Sequence, residues 1–129
     1  MSTLKTILVD DEPLALDFLR SILSKIEGIE IVGQCKNGRE AIKLVAELDP
    51  DLLFLDIQMP GMTGFELIQE VQADILPMVI FVTAYDAFAI DAFNVHAIDY
   101  LLKPVEVDRL EAAIVKAKQN KAQQIAVGE

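Results

Sequence analysis

The chain has 129 residues, a formal net charge of -10 at pH 7, 53% hydrophobic residues and 25% charged residues. This length and composition are typical of one soluble globular domain with its own core. The acidic excess argues against direct nucleic acid binding by this chain, because such binding needs clustered lysine and arginine.

A single cysteine, Cys35, excludes an intrachain disulfide and a zinc site built on paired cysteines. The chain does not open with a secretory signal, and no apolar run approaches the ~20 residues that a membrane span requires. We therefore expect a cytoplasmic protein with no membrane segment. Cys35 itself, and the single histidine His96, are expected to be structural.

Apolar runs predict strands that alternate with helices along the chain. Short continuous runs predict strands at 6–9, 29–35, 52–55, 79–83 and 98–102. Apolar positions at three- and four-residue steps predict helices at 14–26, 41–48, 65 to about 73, 87–95 and 107–121. Because each parallel strand pair needs a crossover, this order predicts a doubly wound α/β domain. We expect it to cover residues 1–121, with 122–129 either extending the last helix or beginning a linker.

Polar residues stand where the predicted strands end. Asp10 and Asp11 follow the first strand, Asp56 follows the third, Thr83 ends the fourth and Lys103 follows the fifth. The carboxyl ends of parallel strands meet at one edge of a sheet, so we expect these residues to share one crevice.

Three carboxylates in one crevice need a cation. They repel one another by ~1 kcal/mol per pair in water and ~4 kcal/mol at a surface-like dielectric. Lys103 offers one positive charge, and an all-oxygen cluster with positions left for water is the ligand set that Mg2+ prefers, often shared with a phosphate. The sequence therefore predicts a magnesium and phosphate site.

No glycine-rich nucleotide loop of the GxxxxGK or GxGxxG kind is present, so a nucleotide is not the expected ligand. A carboxylate can instead act as the nucleophile and form an aspartyl phosphate. A metal, an ammonium group and a hydroxyl group would then stabilise the charge on the transferring oxygens.

Four blocks of sequence resemble the receiver domain of bacterial two-component response regulators. They are ILVDDEP at 7–13, LFLDIQMPGMTG at 53–64, VTA at 82–84 and DYLLKP at 99–104. The resemblance implies a flavodoxin-like (βα)5 fold with strand order 2-1-3-4-5. It also implies a switch that a partner histidine kinase phosphorylates, and that catalyses only its own phosphotransfer and dephosphorylation.

The same resemblance implies a role for each residue of the crevice. Asp56 would be the phosphoacceptor. Asp10, Asp11 and Asp56, together with the backbone carbonyl of Gln58, would hold Mg2+.

The remaining roles fall on the ends of the last two strands. Thr83 would hydrogen bond one phosphoryl oxygen, and Lys103 would neutralise another. The peptide bond between Lys103 and Pro104 would be cis, a state that costs little before proline. Tyr100 would be the switch aromatic, turning inward as Thr83 moves toward the phosphate.

Residues 83–104, TAYDAFAIDAFNVHAIDYLLKP, resemble regulators whose output is a LytTR-type DNA-binding domain. No such domain follows here, so we expect either a receiver excised from a longer protein or a stand-alone receiver.

The fourth predicted helix has more apolar surface than a core-facing helix needs. Its apolar residues spread over about 220°, whereas a surface helix needs ~100° facing the core. Alanines in this segment could simply favour helix formation. Our hypothesis is that this helix, the fifth strand and the last helix form a partner surface, through which the protein forms a homodimer under the control of phosphorylation.

Three other functions remain open. A haloacid-type phosphatase would have a second aspartate two residues after its nucleophile, but Gln58 stands there. A degenerate receiver could serve as a docking module without phosphorylation. A flavin carrier could share the fold, although the Ser/Thr-rich phosphate loop after the first strand is missing.

Overall fold

The computed structural model describes residues 3–71 and 76–127. The strands are β1 Leu4–Val9, β2 Ile29–Cys35, β3 Leu52–Leu55, β4 Met78–Thr83 and β5 Asp99–Leu102. The helices are α1 Pro13–Leu23, α2 Gly38–Leu48, α3 Gly64–Glu70, α4 Ala89–Asn94 and α5 Val107–Val127. A 3-10 turn, Asp86–Phe88, leads directly into α4.

The strands form one parallel sheet in the order β2-β1-β3-β4-β5, which confirms the predicted fold class and strand order. The register explains why the polar residues at the strand ends come together. Val9, the last residue of β1, pairs with Leu55, the last residue of β3. Asp10 and Asp56 are the next residues, so the two carboxylates leave the sheet side by side.

Each face of the sheet carries its own apolar core, because successive side chains of a strand point to opposite faces. Leu8, Phe54 and Ile80 lie in the core under α1 and α5. Leu55 and Phe81 lie in the core under α2 and α3. Burial on both faces is the reason why β3 and β4 are continuously apolar in sequence.

α1 is shorter than its apolar periodicity predicts. Pro13 opens the helix as expected, but the helix ends at Leu23 rather than near residue 26. Beyond it the backbone bonds tighten: the N–H groups of Lys25 and Ile26 donate to carbonyls three residues back. Ile26 still packs against the core, so its apolar character reports burial and not helix.

α3 and α4 also differ from the prediction. α3 ends at Glu70, because Val71 has an extended backbone, and the predicted end at residue 73 lies outside the described residues. The segment predicted as one helix over 87–95 begins with the 3-10 turn and contains only the short α4.

α5 continues past residue 121 to Val127. Lys118 Nζ donates to the carbonyl of Glu27 at 2.6 Å, and Lys121 Nζ donates to Asp51 Oδ1 at 2.9 Å. These contacts hold the helix against the amino edge of the sheet. Residues 122–127 belong to this helix. Among the described residues, no helix combines the length and the apolar character needed to cross a membrane.

Candidate functional site

Three carboxylates meet at the carboxyl edge of the sheet. Asp10, Asp11 and Asp56 each place one oxygen within 4.8 Å of the others. Backbone hydrogen bonds fix two of them. The N–H of Asp10 donates to the carbonyl of Cys35 at 3.1 Å, and the N–H of Asp56 donates to the carbonyl of Val9 at 3.0 Å. Asp10 and Asp56 are buried and Asp11 is half-buried, so the cluster opens to solvent on the Asp11 side.

Lys103 brings a positive charge to this cluster. Its Nζ lies 2.9 Å from Asp10 Oδ2 and 3.2 Å from Asp56 Oδ2. Its backbone N–H donates to the carbonyl of Thr83 at 2.8 Å, and the peptide bond to Pro104 is cis. Burial alone would lower the pKa of Lys103, but the surrounding carboxylates outweigh it and raise the pKa. The side chain is therefore an ammonium at every physiological pH.

Glu12 is a third partner of Lys103 that the sequence reasoning did not single out. Its Oε1 lies 2.6 Å from Lys103 Nζ, the shortest of the three contacts. An exposed glutamate before a helix is too common to carry a signal by itself. Its position two residues beyond Asp10, at the end of the same strand, is the only sequence clue.

Asp10 lacks hydrogen bonds for a buried carboxylate. Oδ1 accepts from the N–H of Glu12 at 2.9 Å, but Oδ2 receives no hydrogen bond from the described residues. Its contact with Lys103 Nζ, at 2.9 Å, is an ion pair. Burial raises the pKa of Asp10, although Lys103 and the N–H of Glu12 oppose the shift. A buried, unsatisfied carboxylate oxygen within this cluster fits a Mg2+ ligand.

The turn after β3 needs a glycine at position 64. The N–H of Gly64 donates to the carbonyl of Ile57 at 2.9 Å, and a Cβ on Gly64 would lie 2.7 Å from the carbonyl oxygen of Asp56. Thr63 and Glu66 then form a capping box that starts α3. The turn therefore packs directly against the backbone of Asp56. Within it, Gln58 donates its N–H to Asp56 Oδ1 at 3.3 Å, and the metal-binding role of its carbonyl stays a prediction.

Thr83 and Tyr100 meet at one loop residue. Thr83 is fully buried, and its Oγ1 accepts from the N–H of Tyr85 at 3.3 Å. The half-buried Tyr100 donates its hydroxyl hydrogen to the carbonyl of Tyr85 and accepts from the N–H of Phe88 at 3.4 Å. The two predicted switch residues are thus linked through the backbone of Tyr85.

Apolar side chains are exposed on α4 and its neighbours. Ile90 and Phe93 on α4 are 76% and 79% exposed. Leu102 at the end of β5 and Val107 at the start of α5 are exposed as well. We call these four residues the α4–β5–α5 surface.

The two residues expected to be structural lie outside the crevice. Cys35 is buried at the end of β2, and burial raises the pKa of its thiol to about 12. His96 is exposed in the turn after α4, with a φ of 61°. Neither side chain belongs to the carboxylate cluster found among the described residues, although the backbone carbonyl of Cys35 accepts the N–H of Asp10.

Curated relatives match this chain closely. The transcriptional regulatory protein BtsR of Salmonella typhi is 48% identical over 121 residues, which are 94% of this chain and 51% of that protein. BtsR of Escherichia coli strain K12 is 46% identical over the same length, with the same coverage. The chain thus spans about half the length of the curated relatives it matches.

Solved structures match over nearly the whole chain. The response regulatory domain of mrkE from Klebsiella pneumoniae has a TM-score of 0.85 at 34% identity, covering 93% of this chain and 99% of that one. The signal receiver domain of a putative Luxo repressor protein from Vibrio parahaemolyticus has a TM-score of 0.85 at 27% identity, covering 98% and 99%. The family model described as the response regulator receiver domain matches residues 6–115. The chain therefore belongs to the receiver-domain family of two-component response regulators.

Proposed function

We propose that this chain is a phosphorylation switch in which Asp56 accepts a phosphoryl group from a partner histidine kinase. The observation that carries the proposal is the meeting of three carboxylates at one sheet edge with a buried oxygen of Asp10 left unsatisfied. Such an arrangement costs folding free energy, since like charges repel and buried polar atoms need partners. It is expected where function requires a cation and a phosphoryl group.

Phosphoryl transfer to Asp56 needs no proton and no redox partner. A carboxylate oxygen of Asp56 attacks phosphorus and forms a new P–O bond, which makes Asp56 an acyl phosphate. The bond between phosphorus and the donor breaks at the same time. With acetyl phosphate as donor, acetate leaves with the electron pair and the total charge is unchanged. Lys103, 3.2 Å from Asp56, would bind one transferring oxygen.

Mg2+ would be held by Asp10, Asp11 and Asp56, with the carbonyl of Gln58. When bound, it would supply positive charge to the transferring oxygens. Oδ2 of Asp10 is the oxygen that gains most, because it is buried and receives no hydrogen bond from the described residues. Removal of Mg2+ should therefore prevent phosphorylation.

The signal would pass from Thr83 to Tyr100 through Tyr85. The hydroxyl of Thr83 now accepts a hydrogen bond from the N–H of Tyr85 at 3.3 Å. If the hydroxyl turns toward a phosphoryl oxygen, this hydrogen bond breaks. The carbonyl of Tyr85 holds the hydroxyl of Tyr100. A change at Thr83 would then shift Tyr100 and bias the packing of the adjacent α4–β5–α5 surface.

The exposed α4–β5–α5 surface supports a second copy of the chain as the partner. Ile90 and Phe93 are too exposed to serve the core, and apolar patches of this kind mark interaction sites. In the longer relatives called transcriptional regulatory proteins, receiver pairing would position an output domain. We propose that the output here is transcription through a DNA-binding domain of the LytTR type.

The position at which an aspartyl-intermediate phosphatase has its general acid is not acidic in this chain. A phosphatase with an aspartyl intermediate needs a general acid beside the leaving group, but Gln58 occupies the position two residues after Asp56. We expect the protein to turn over only its own phosphate. Steady hydrolysis of a small phosphate ester would contradict this part of the proposal.

Intact mass after incubation with acetyl phosphate and Mg2+ tests the proposal. The unmodified protein should gain one phosphate, and Asp56→Asn should gain none. Asp51→Asn is the matched control, because Asp51 lies just before β3, at the other end of the same strand. A phosphate gain by Asp56→Asn would place the acceptor elsewhere.

Sedimentation with and without beryllofluoride tests the dimer. We expect the phosphoryl mimic to shift the protein toward dimer at micromolar concentrations, and Phe93→Ser to cancel the shift. Leu14→Ser is the control, since Leu14 is equally exposed on α1, away from this surface. A protein that stays monomeric in both states would exclude phosphorylation-dependent dimerisation.

A further inference from the structure

Three carboxylates surround the ammonium group of Lys103, where a phosphoryl oxygen would also have to bind. An ammonium carries three N–H donors, and Lys103 Nζ already contacts Asp10 at 2.9 Å, Glu12 at 2.6 Å and Asp56 at 3.2 Å. A phosphoryl group arriving at Asp56 brings up to two negative charges and oxygens that are strong acceptors. A phosphoryl oxygen would therefore compete with these carboxylates for the ammonium.

Exposure identifies the carboxylate that can leave. The side chain of Glu12 is 62% exposed, whereas those of Asp10 and Asp56 are 1% and 6% exposed. A carboxylate that turns into water regains its hydration, and a buried one cannot do so in place. Glu12 is therefore the partner that can be displaced without opening the core.

Among the described residues, the Glu12 side chain bonds only to Lys103. Glu12 is the N-cap residue of α1, yet its side chain makes no capping hydrogen bond. Shorter side chains such as Asp, Asn, Ser and Thr are the usual caps. The longer Glu12 side chain instead reaches Lys103, at the end of β5. Its length suits the contact with Lys103 and not the start of the helix.

We propose that Glu12 is a positioning residue that acts through Lys103. In the unphosphorylated protein its carboxylate holds the ammonium, and it competes with the incoming phosphoryl group for that charge. The competition slows phosphorylation without preventing it. The inference rests on the proposed role of Asp56 as phosphoacceptor, and it adds a determinant of how fast Asp56 reacts.

The rate of phosphate gain from acetyl phosphate at saturating Mg2+, followed by intact mass on the full chain, tests the inference. Glu12→Gln keeps the length of the side chain and removes its charge. Glu12→Asp keeps the charge but withdraws it from Lys103 by one methylene. Asp17→Asn is the control, because it removes one charge from an exposed position of the same helix that forms no ion pair within the described structure.

We expect both Glu12 variants to react about fivefold faster, which is ~1 kcal/mol at 1.4 kcal/mol per factor of ten. Asp17→Asn should stay within about twofold of the unmodified protein. The same ratios are expected with phosphoramidate, a donor of lower net charge than acetyl phosphate. Urea unfolding of each variant checks that the fold is retained.

Three results would overturn the inference. Glu12→Gln could react at the unmodified rate, which would show that Glu12 does not restrain Lys103. Asp17→Asn could accelerate equally, or Glu12→Asp could fail to accelerate. Either result would mean that general repulsion of an anionic donor, and not the ion pair with Lys103, controls the rate. If the unmodified protein gained no phosphate at all, the proposed function itself would fall before any variant was compared.

Discussion

The two edges of the sheet treat their carboxylates in opposite ways. At the amino edge, Asp51 accepts from the N–H of Lys5 at 2.8 Å and from Lys121 at 2.9 Å, one bond to each oxygen. At the carboxyl edge, Asp10 lies among other carboxylates and leaves one buried oxygen without a hydrogen bond from the described residues. The same residue type therefore ties elements together at one edge, whereas at the other edge several copies lie around a single ammonium.

Asp99, the first residue of β5, also belongs to the satisfied edge. Its oxygens accept from Arg109 at 3.1 and 3.3 Å, from Lys116 at 3.1 Å and from the N–H of Tyr100 at 2.8 Å. The difference teaches where stability has been given up. The carboxylates that serve only the fold are fully bonded, whereas Asp10, proposed here to bind a cation, is not.

The largest expected effect is that of Lys103→Met at the unsatisfied edge. Loss of the ammonium 3.2 Å from Asp56 should slow phosphate gain by ~10²- to 10³-fold, as expected when a donor to the transferring oxygens is lost. Time-resolved intact mass measures the rate. Lys43→Met, an exposed position on α2, is the control. A fall smaller than about tenfold would mean that Lys103 serves the fold more than the chemistry.

The next largest expected effect is a difference in unfolding free energy between variants at the two edges. Asp51→Ala leaves the N–H of Lys5 and the ammonium of Lys121 without their acceptor, so the free energy of unfolding should fall by about 2 kcal/mol. Asp10→Asn removes a buried charge, and without Mg2+ it should leave the free energy unchanged or raise it by up to about 1 kcal/mol. Urea unfolding in a chelating buffer measures both. Equal destabilisation by the two variants would erase the contrast between the edges.

The pH dependence of Asp99 gives the smallest expected effect. Burial would raise its pKa, but the bonds from Arg109, Tyr100 and Lys116 outweigh burial and lower it. A lowered pKa stabilises the fold above the unfolded value of about 3.9, and this contribution is lost as pH falls through the folded value. Because Arg109 and Lys116 are about half exposed, we expect only about 0.5–1 kcal/mol.

The difference in unfolding free energy between the unmodified protein and Asp99→Asn measures this contribution. It should be present at pH 7 and should shrink below pH 4. The same comparison with Asp17→Asn, an exposed aspartate on α1, controls for the general effect of acid. If this difference in unfolding free energy did not change with pH, the ion pairs of Asp99 could not be its cause.

The sequence predicted the sheet because its signal is local. Continuous apolar runs such as those of β3 and β4 require burial on both faces, and alternation with helices requires parallel pairing. Helix ends were predicted less well. Ile26 is apolar because it packs on the core, although α1 has already ended, and α5 continues six residues past its predicted end at residue 121.

The candidate site was predicted from position, and its contacts were not. Because the carboxyl ends of parallel strands share one edge, the sequence alone predicted that Asp10, Asp56 and Lys103 lie together. The ion pair of Glu12 with Lys103 joins distant parts of the chain, and the close packing of Gly64 on Asp56 is a backbone distance. Neither leaves a local pattern, so only the folded structure reveals them.

The location of the phosphate tests the central claim most directly. After incubation with acetyl phosphate and Mg2+, borohydride reduction converts an aspartyl phosphate to homoserine, which peptide mass mapping assigns to one residue. We expect homoserine at position 56 only, and none when Mg2+ is chelated. Reduction at Asp10 or Asp11, or a phosphate on Thr83 that resists borohydride, would contradict it.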